Sequence, residues 1–137
     1  MKVIAVDYGS ARTGVAVSDP SGTIARPLGI VERVGSEAGL AKLADLIRAE
    51  AAERVVVGLP LTLRGERGAQ ARETEAFVTA LRGAVDVPVE SFDERFTTRL
   101  ARTGPRDSPP DRSEPDDARA AAHLLSSYLE WSSAGRE

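Results

Sequence analysis

Carboxylates stand at three separated places where a chain of this size has little structural use for them. Asp7 ends the apolar run Val3-Ile-Ala-Val6, Asp93 and Glu94 follow the run that closes at Phe92, and Asp117 lies at the start of an alanine- and leucine-rich stretch. Carboxylates that converge repel each other and raise one another's pKa unless cations neutralise them. Hard divalent ions are the natural cations. Two such ions held ~3.5 to 4 Å apart by a cluster of acids can grip a phosphate, activate water and stabilise the leaving oxygen. Positive residues in loops beside the acids, Arg12 and Arg64 among them, would then supply substrate contacts. The simpler reading of an isolated Asp7-Tyr-Gly9 is a turn cap, because aspartate accepts hydrogen bonds from backbone N–H groups two or three residues on. The metal reading therefore requires the distant acids to reach the same place.

Composition narrows the choice of cation. The chain has no cysteine and one histidine, His123, so disulfides and thiolate or histidine-rich zinc sites are excluded. Any metal must be held by oxygen ligands, which favours magnesium, manganese or calcium. His123, inside the alanine-rich stretch, reads as a partly buried structural residue rather than a ligand. The formal charge of −3 and pI near 5.3 do not describe a protein that coats nucleic acid by bulk electrostatics.

Local charge is more informative. Of the 18 basic residues only Lys2 and Lys42 are lysines. Arginine binds phosphate bidentately, although a GC-rich genome produces the same bias. The segment from Arg95 to Arg112 sets five arginines against Asp107 and Asp111. Within it Arg95, Thr97, Arg102, Arg106 and Arg112 are candidate phosphate contacts, the alternative being a solvated loop. Tyr8, Phe92, Phe96 and Trp131 are too few and scattered for a stacking platform.

The elements that must position these residues follow from periodicity. Val3 to Val6 reads as a buried strand, Gly9 and Gly14 bracket a turn, and Val15 to Ser18 returns as its hairpin partner before Asp19-Pro-Ser-Gly22 turns again. Thr23 to Val31 is a third strand, which Pro27 assigns to an edge or an irregularity. Leu40, Leu43, Ala44 and Ile47 predict an amphipathic helix over 36–51. Arg54 to Pro60 is a continuously apolar run that fits a parallel strand buried on both faces. A helix from Ala69 to about Arg82 and a strand from Val85 to Phe92 follow.

From Thr103 to Pro115 the chain has four prolines in thirteen residues and no apolar anchor, so it is expected to be a mobile loop. A last helix opens at Asp116 or Asp117 and runs through Leu129. At 100° per residue, Ala121, Leu124 and Tyr128 lie within about 40° of Asp117 whereas Asp116 lies about 100° away. Asp117 thus shares the buried face and can point toward Asp7, while Asp116 reads as an N-cap. The expected architecture is α/β: a five-stranded mixed sheet, antiparallel hairpins through the third strand and parallel βα units after it, with helices on both faces. In such sheets ligands collect at the carboxyl ends of the strands, where Asp7 and Asp93-Glu94 would lie. One domain over residues 1–131 and a frayed tail over 132–137 complete the expectation.

Asp7-Tyr-Gly-x-x-Arg-Thr-Gly-Val-Ala-Val-Ser-Asp19, Val56-Val-Gly-Leu-Pro60, Asp93-Glu-Arg-Phe-Thr-Thr98 and Asp117 through Tyr128-Leu129 together resemble the YqgF family, also called RuvX. The resemblance covers nearly the whole chain in order. It implies an RNase H-like fold and a bacterial nuclease assigned either to 5′-end maturation of pre-16S rRNA or to Holliday junction resolution. It places the catalytic acids on Asp7, Asp93, Glu94 and Asp117, with Asp7, Glu94 and Asp117 as the expected holders of Mg2+ or Mn2+ and the choice between Asp93 and Glu94 left open. The implied partners are a structured RNA precursor or branched DNA, with ribosomal precursor particles, for a monomer or homodimer. No segment approaches the ~20 apolar residues of a bilayer span, no signal-peptide pattern opens the chain, and a cytoplasmic location is expected. The sequence departs from the family pattern at Ala11, at Thr62 and Arg64, and in the proline- and arginine-rich segment before Asp117. Two other classes compete. An ATP-binding fold of the actin and sugar-kinase type also has a strand followed by Asp-x-Gly, but needs two lobes where these residues supply one. A nucleic-acid-binding or assembly factor with this fold and no turnover is the second.

Overall fold

The computed structural model describes residues 1–60, 68–93 and 116–133. Five strands are present, β1 (Val3–Asp7), β2 (Arg12–Ser18), β3 (Ala25–Glu32), β4 (Arg54–Leu59) and β5 (Val89–Asp93). They form one sheet in the order β3-β2-β1-β4-β5. The helices are α1 (Glu37–Ala49), α2 (Ala69–Ala84) and α3 (Asp116–Ser133). β1, β2 and β3 pair antiparallel, while β1 with β4 and β4 with β5 pair parallel. The mixed sheet expected from the sequence is the observed one.

Alternation along the strands sorts side chains onto two faces. Ile4, Val6, Val15, Val17, Val55, Val57 and Val89 pack with Leu43 and Ile47 of α1 and Phe77 and Leu81 of α2. Val3, Ala5, Ala16, Val56 and Phe92 pack on the other face with Ala121, Leu124, Leu125 and Tyr128 of α3. The phase expected for the last helix therefore holds. His123 lies off that buried stripe and is exposed, which corrects the expectation of partial burial.

Local chemistry sets the element ends. Ser36 caps α1 by accepting from Gly39 N–H at 3.0 Å. The helix stops at Ala49, two residues before the expected end, because Ala51 takes φ 54° and its N–H turns back to Arg48 C=O at 3.0 Å. β5 begins at Val89 rather than Val85. Val85 N–H still bonds Leu81 C=O at 3.1 Å, so residues 85–88 finish α2 and turn into the strand. Pro27 sits in β3, an edge strand, where the β2 register shifts between Val15 and Ala16; an edge and an irregularity coincide there. α3 runs on to Ser133, past the expected Leu129 and into the expected tail. The expected mobile loop over 103–115 lies outside the described residues.

Candidate active site

The carboxyl end of β1 carries Asp7, the first of the expected acids. Asp7 is the last residue of the strand and, by alternation with Val3 and Ala5, belongs to the face that α3 covers. Tyr8, one residue on, takes the opposite face and stacks on Phe77 of α2 with ring centroids 4.7 Å apart. Burial, and secondarily the charge of Glu73, raise its phenol pKa, so Tyr8 is a neutral anchor for the strand end. The chain then turns tightly. A Cβ on Gly9 would stand 2.3 Å from Arg12 C=O, and buried Thr13 closes the turn by accepting from Gly9 N–H and donating to Gly9 C=O, both at 3.2 Å.

The turn delivers Gly14 opposite Asp7 in the β1–β2 register. Gly14 is where the last helix arrives. A Cβ there would stand 1.8 Å from the backbone oxygen of Asp117 and 3.0 Å from Ala118 N. Only a residue without a side chain lets the first turn of α3 rest on β2 at this point. Sequence position 117 is thereby set against the register partner of Asp7. Ala118 behind it is fully buried, and the Asp117 side chain stays about one-third exposed, reaching the rim. Its carboxylate meets Arg12, with Nε 3.4 Å from Oδ2.

Asp93 ends β5 and pairs with Leu59 in the β4–β5 register. Its neighbour Phe92 packs under α3, so alternation sets Asp93 on the α1/α2 side, across the sheet from Asp7. Of the remaining expected site residues, Glu94, Arg64, Arg95, Thr97, Arg102, Arg106 and Arg112 lie outside the described residues. Among the described residues no three His, Cys, Asp or Glu side chains gather closely enough to hold a metal ion. The donor set nevertheless fits a hard divalent cation, because Asp7 and Asp117 offer carboxylate oxygens only and share one face of one rim.

Sequence reasoning missed the aromatic grouping at the other end of α3. Phe92 and Trp131 stand 5.4 Å apart, and Tyr128 lies 5.6 Å from Phe92 and 5.9 Å from Trp131. Of the aromatics read as scattered, Phe92 and Trp131 stand together, whereas Tyr8 packs on Phe77 on the opposite face and Phe96 lies outside the described residues. The i, i+3 spacing of Tyr128 and Trp131 was the available signal. Tyr128 also accepts a hydrogen bond from Arg54 Nη1 at 2.9 Å. Phe92 and Tyr128 belong to the core on the α3 side, while Trp131 stays exposed beside them.

The architecture and the acid-bearing rim define a class of α/β proteins with the RNase H-like fold. The chain matches the model of the family described as "RuvX: Holliday junction resolvase" over residues 1–131, and it belongs to that family. A relative from Rubrobacter xylanophilus is 45% identical over 134 residues, covering 94% of this chain and 92% of its own. One from Chloroflexus aggregans is 40% identical over 131 residues, covering 93% and 92%. Both carry the name "Putative pre-16S rRNA nuclease". Among solved structures, Thermus thermophilus RuvC bound to a Holliday junction substrate superposes with a TM-score of 0.68 at 19% identity, covering 98% of this chain and 96% of that one. The fowlpox virus resolvase bound to Holliday junction DNA gives 0.56 at 12% identity, covering 95% and 97%. At these identities the structures establish the fold. No described helix is long and apolar enough to cross a membrane.

Proposed function

We propose that this chain is a divalent-metal-dependent nuclease of the cytoplasm that hydrolyses phosphodiester bonds in structured nucleic acid, with the 5′ end of pre-16S rRNA in ribosomal precursor particles as its substrate. The observation that carries the reading is the seating of Asp117 on Gly14, the register partner of Asp7. It brings acids 110 positions apart in sequence to one rim, which a turn cap does not require. The name shared by the curated relatives supports the substrate.

Asp7, Asp117 and Glu94 are the proposed holders of Mg2+ or Mn2+. Asp93 lies across the sheet, so of the adjacent pair Glu94 is the proposed ligand and Asp93 an accessory acid. Bound there, two divalent ions supply a polarised scissile phosphate and an activated water. Asp7 would hold an ion from a rigid strand end, and Asp117 would add charge from a helix whose packing sets its height above the sheet. Arg12, Arg64, Arg95, Arg102, Arg106 and Arg112, with Thr97, are the proposed contacts to the phosphate backbone.

The family description favours a second substrate, the four-way DNA junction. A junction resolvase must cut two strands symmetrically and should act as a dimer. The test presents purified protein with a pre-16S 5′-end RNA and a four-way DNA junction, in Mg2+, in Mn2+ and in EDTA, with oligomeric state measured alongside. Metal-dependent RNA cleavage is expected, and Asp7→Asn should lower it by more than the ~10- to 100-fold that loss of a mere supporting partner costs a metal site. Undiminished cleavage in EDTA or by Asp7→Asn would overturn the metal reading. Paired cuts in the junction by a dimer, with the RNA intact, would select the second substrate.

A further inference from the structure

The ion pair between Arg12 and Asp117 has a consequence for the order in which the site binds its ligands. Arg12 opens β2 and shares the α3 face with Gly14 and Ala16 by alternation. Its backbone is fixed, since Thr13 ties the turn to Gly9 through both polar groups of that residue. Its side chain is not, for it is 62% exposed while Asp117 is 36% exposed. Exposed ion pairs of this kind hold weakly, so the guanidinium can leave without disturbing the fold. It nevertheless sits beside one of the two Asp117 oxygens open to a divalent ion, with Nε 3.4 Å from Oδ2.

We infer that Arg12 is the stand-in cation of the site. While the acids hold no metal, its guanidinium neutralises Asp117 and relieves the repulsion between Asp117 and Asp7. When the acids take up a divalent ion, Arg12 gives up that oxygen and turns to a phosphate of the substrate at the same rim, where its planar fork makes bidentate contacts. Metal and nucleic acid then favour each other's binding, because Arg12 serves the substrate only after Asp117 has been supplied with another cation. By linkage the effect is reciprocal. Arg12 is thus a positioning residue that couples two ligands, a role beyond phosphate contact alone, and the inference rests on the metal-dependent reading above.

Calorimetric titration of Mn2+ into nucleic-acid-free wild-type protein, Arg12→Ala and Arg12→Gln tests it, with far-UV circular dichroism to verify the fold. Removing the competing cation should tighten Mn2+ binding roughly two- to fivefold, the range an exposed ion pair can supply. Binding of a phosphorothioate-substituted RNA hairpin, read by fluorescence anisotropy, gives the second arm. Arg12→Ala should match wild type in EDTA and fall below it in Mn2+. Unchanged or weakened Mn2+ affinity in both variants overturns the inference and leaves the nuclease reading standing. So does a loss of hairpin affinity that is equal with and without metal. Failure of the wild-type protein to bind Mn2+ at all would overturn the metal-dependent reading and this inference together.

Discussion

On the α1/α2 side the strands present Ile4, Val6, Val15, Val17, Val55 and Val57, whereas one residue along on β1 and β2 the α3 side receives Ala5, Asp7, Gly14 and Ala16. The first set fills the space under two helices with branched aliphatic groups and stabilises the fold by burial. The second set is small, and α3 consequently rests on β2 with its Asp117 carbonyl occupying the place of a side chain at Gly14. The same strands thus carry a face that supplies cohesion and a face that gives up apolar volume for a close approach. The difference teaches that the height of α3 above the sheet is set by Gly14, and the proposed site depends on it, because it decides whether Asp117 reaches the rim of Asp7.

Breaking that coordinate should have the largest effect. In Gly14→Ala the added methyl meets backbone rather than a side chain that can swing away, so the first turn of α3 must lift. Overpacking of this kind costs ~1 to 3 kcal/mol, and the activity loss should exceed what the stability loss explains. Denaturant unfolding and the cleavage rate of the folded protein, measured together, check this. A variant that cleaves at the wild-type rate would show that Asp117 need not sit where it does.

The opposite face should fail in the opposite manner. Leu81 is fully buried in the cluster under α2, and Leu81→Ala removes apolar volume far from the acids. A loss of ~2 to 5 kcal/mol of stability is expected, with the metal-dependent cleavage rate of the folded fraction unchanged. Thermal unfolding and single-turnover rates below the transition separate the two quantities. A slowed rate in a fully folded sample would mean that the two faces are not independent.

Much of this division was legible in the residues. Strand alternation and the helical phase of Ala121, Leu124 and Tyr128 placed Asp117 on the buried side, and Pro27 marked the edge, because both signals report which groups must leave water. The start of β5 was not legible. Val85 and Val87 suit a strand as well as a helix end, and only the Val85 to Leu81 hydrogen bond decides between them. Gly14 read as a turn residue, yet its reason is the arrival of a helix over 100 positions later in the chain. The Arg12 to Asp117 pair was illegible for the same reason, since tertiary approach rather than local pattern creates it.

The smallest expected effect concerns a carboxylate that does what Asp7 was weighed against doing. Asp19 caps a turn. Its Oδ1 accepts from Thr23 N–H and Ile24 N–H, each at 2.8 Å, and its other oxygen accepts from the Ser21 hydroxyl. Backbone donation from Ile24, then the Ser21 hydroxyl, then Thr23 hold its pKa well below the ordinary aspartate value. A carboxyl depressed on folding contributes stability that is present above its unfolded-state pKa and lost as pH falls through the lowered one. The Asp19 contribution should therefore be complete at neutral pH and fade below about pH 4. Asp19→Asn keeps an acceptor for the turn but cannot titrate. The melting-temperature gap between wild type and Asp19→Asn should be small at pH 7, because the turn lies at the surface and Asp19 is only partly covered, and should narrow further toward pH 3. Mn2+ affinity should not change, since Asp19 belongs to the turn after β2 and not to the rim of Asp7. A gap that is constant across this range would mean that the capping hydrogen bonds do not favour the ionised form. A loss of Mn2+ binding would place Asp19 among the acids of the site, and the distinction between capping and metal-holding carboxylates would fail.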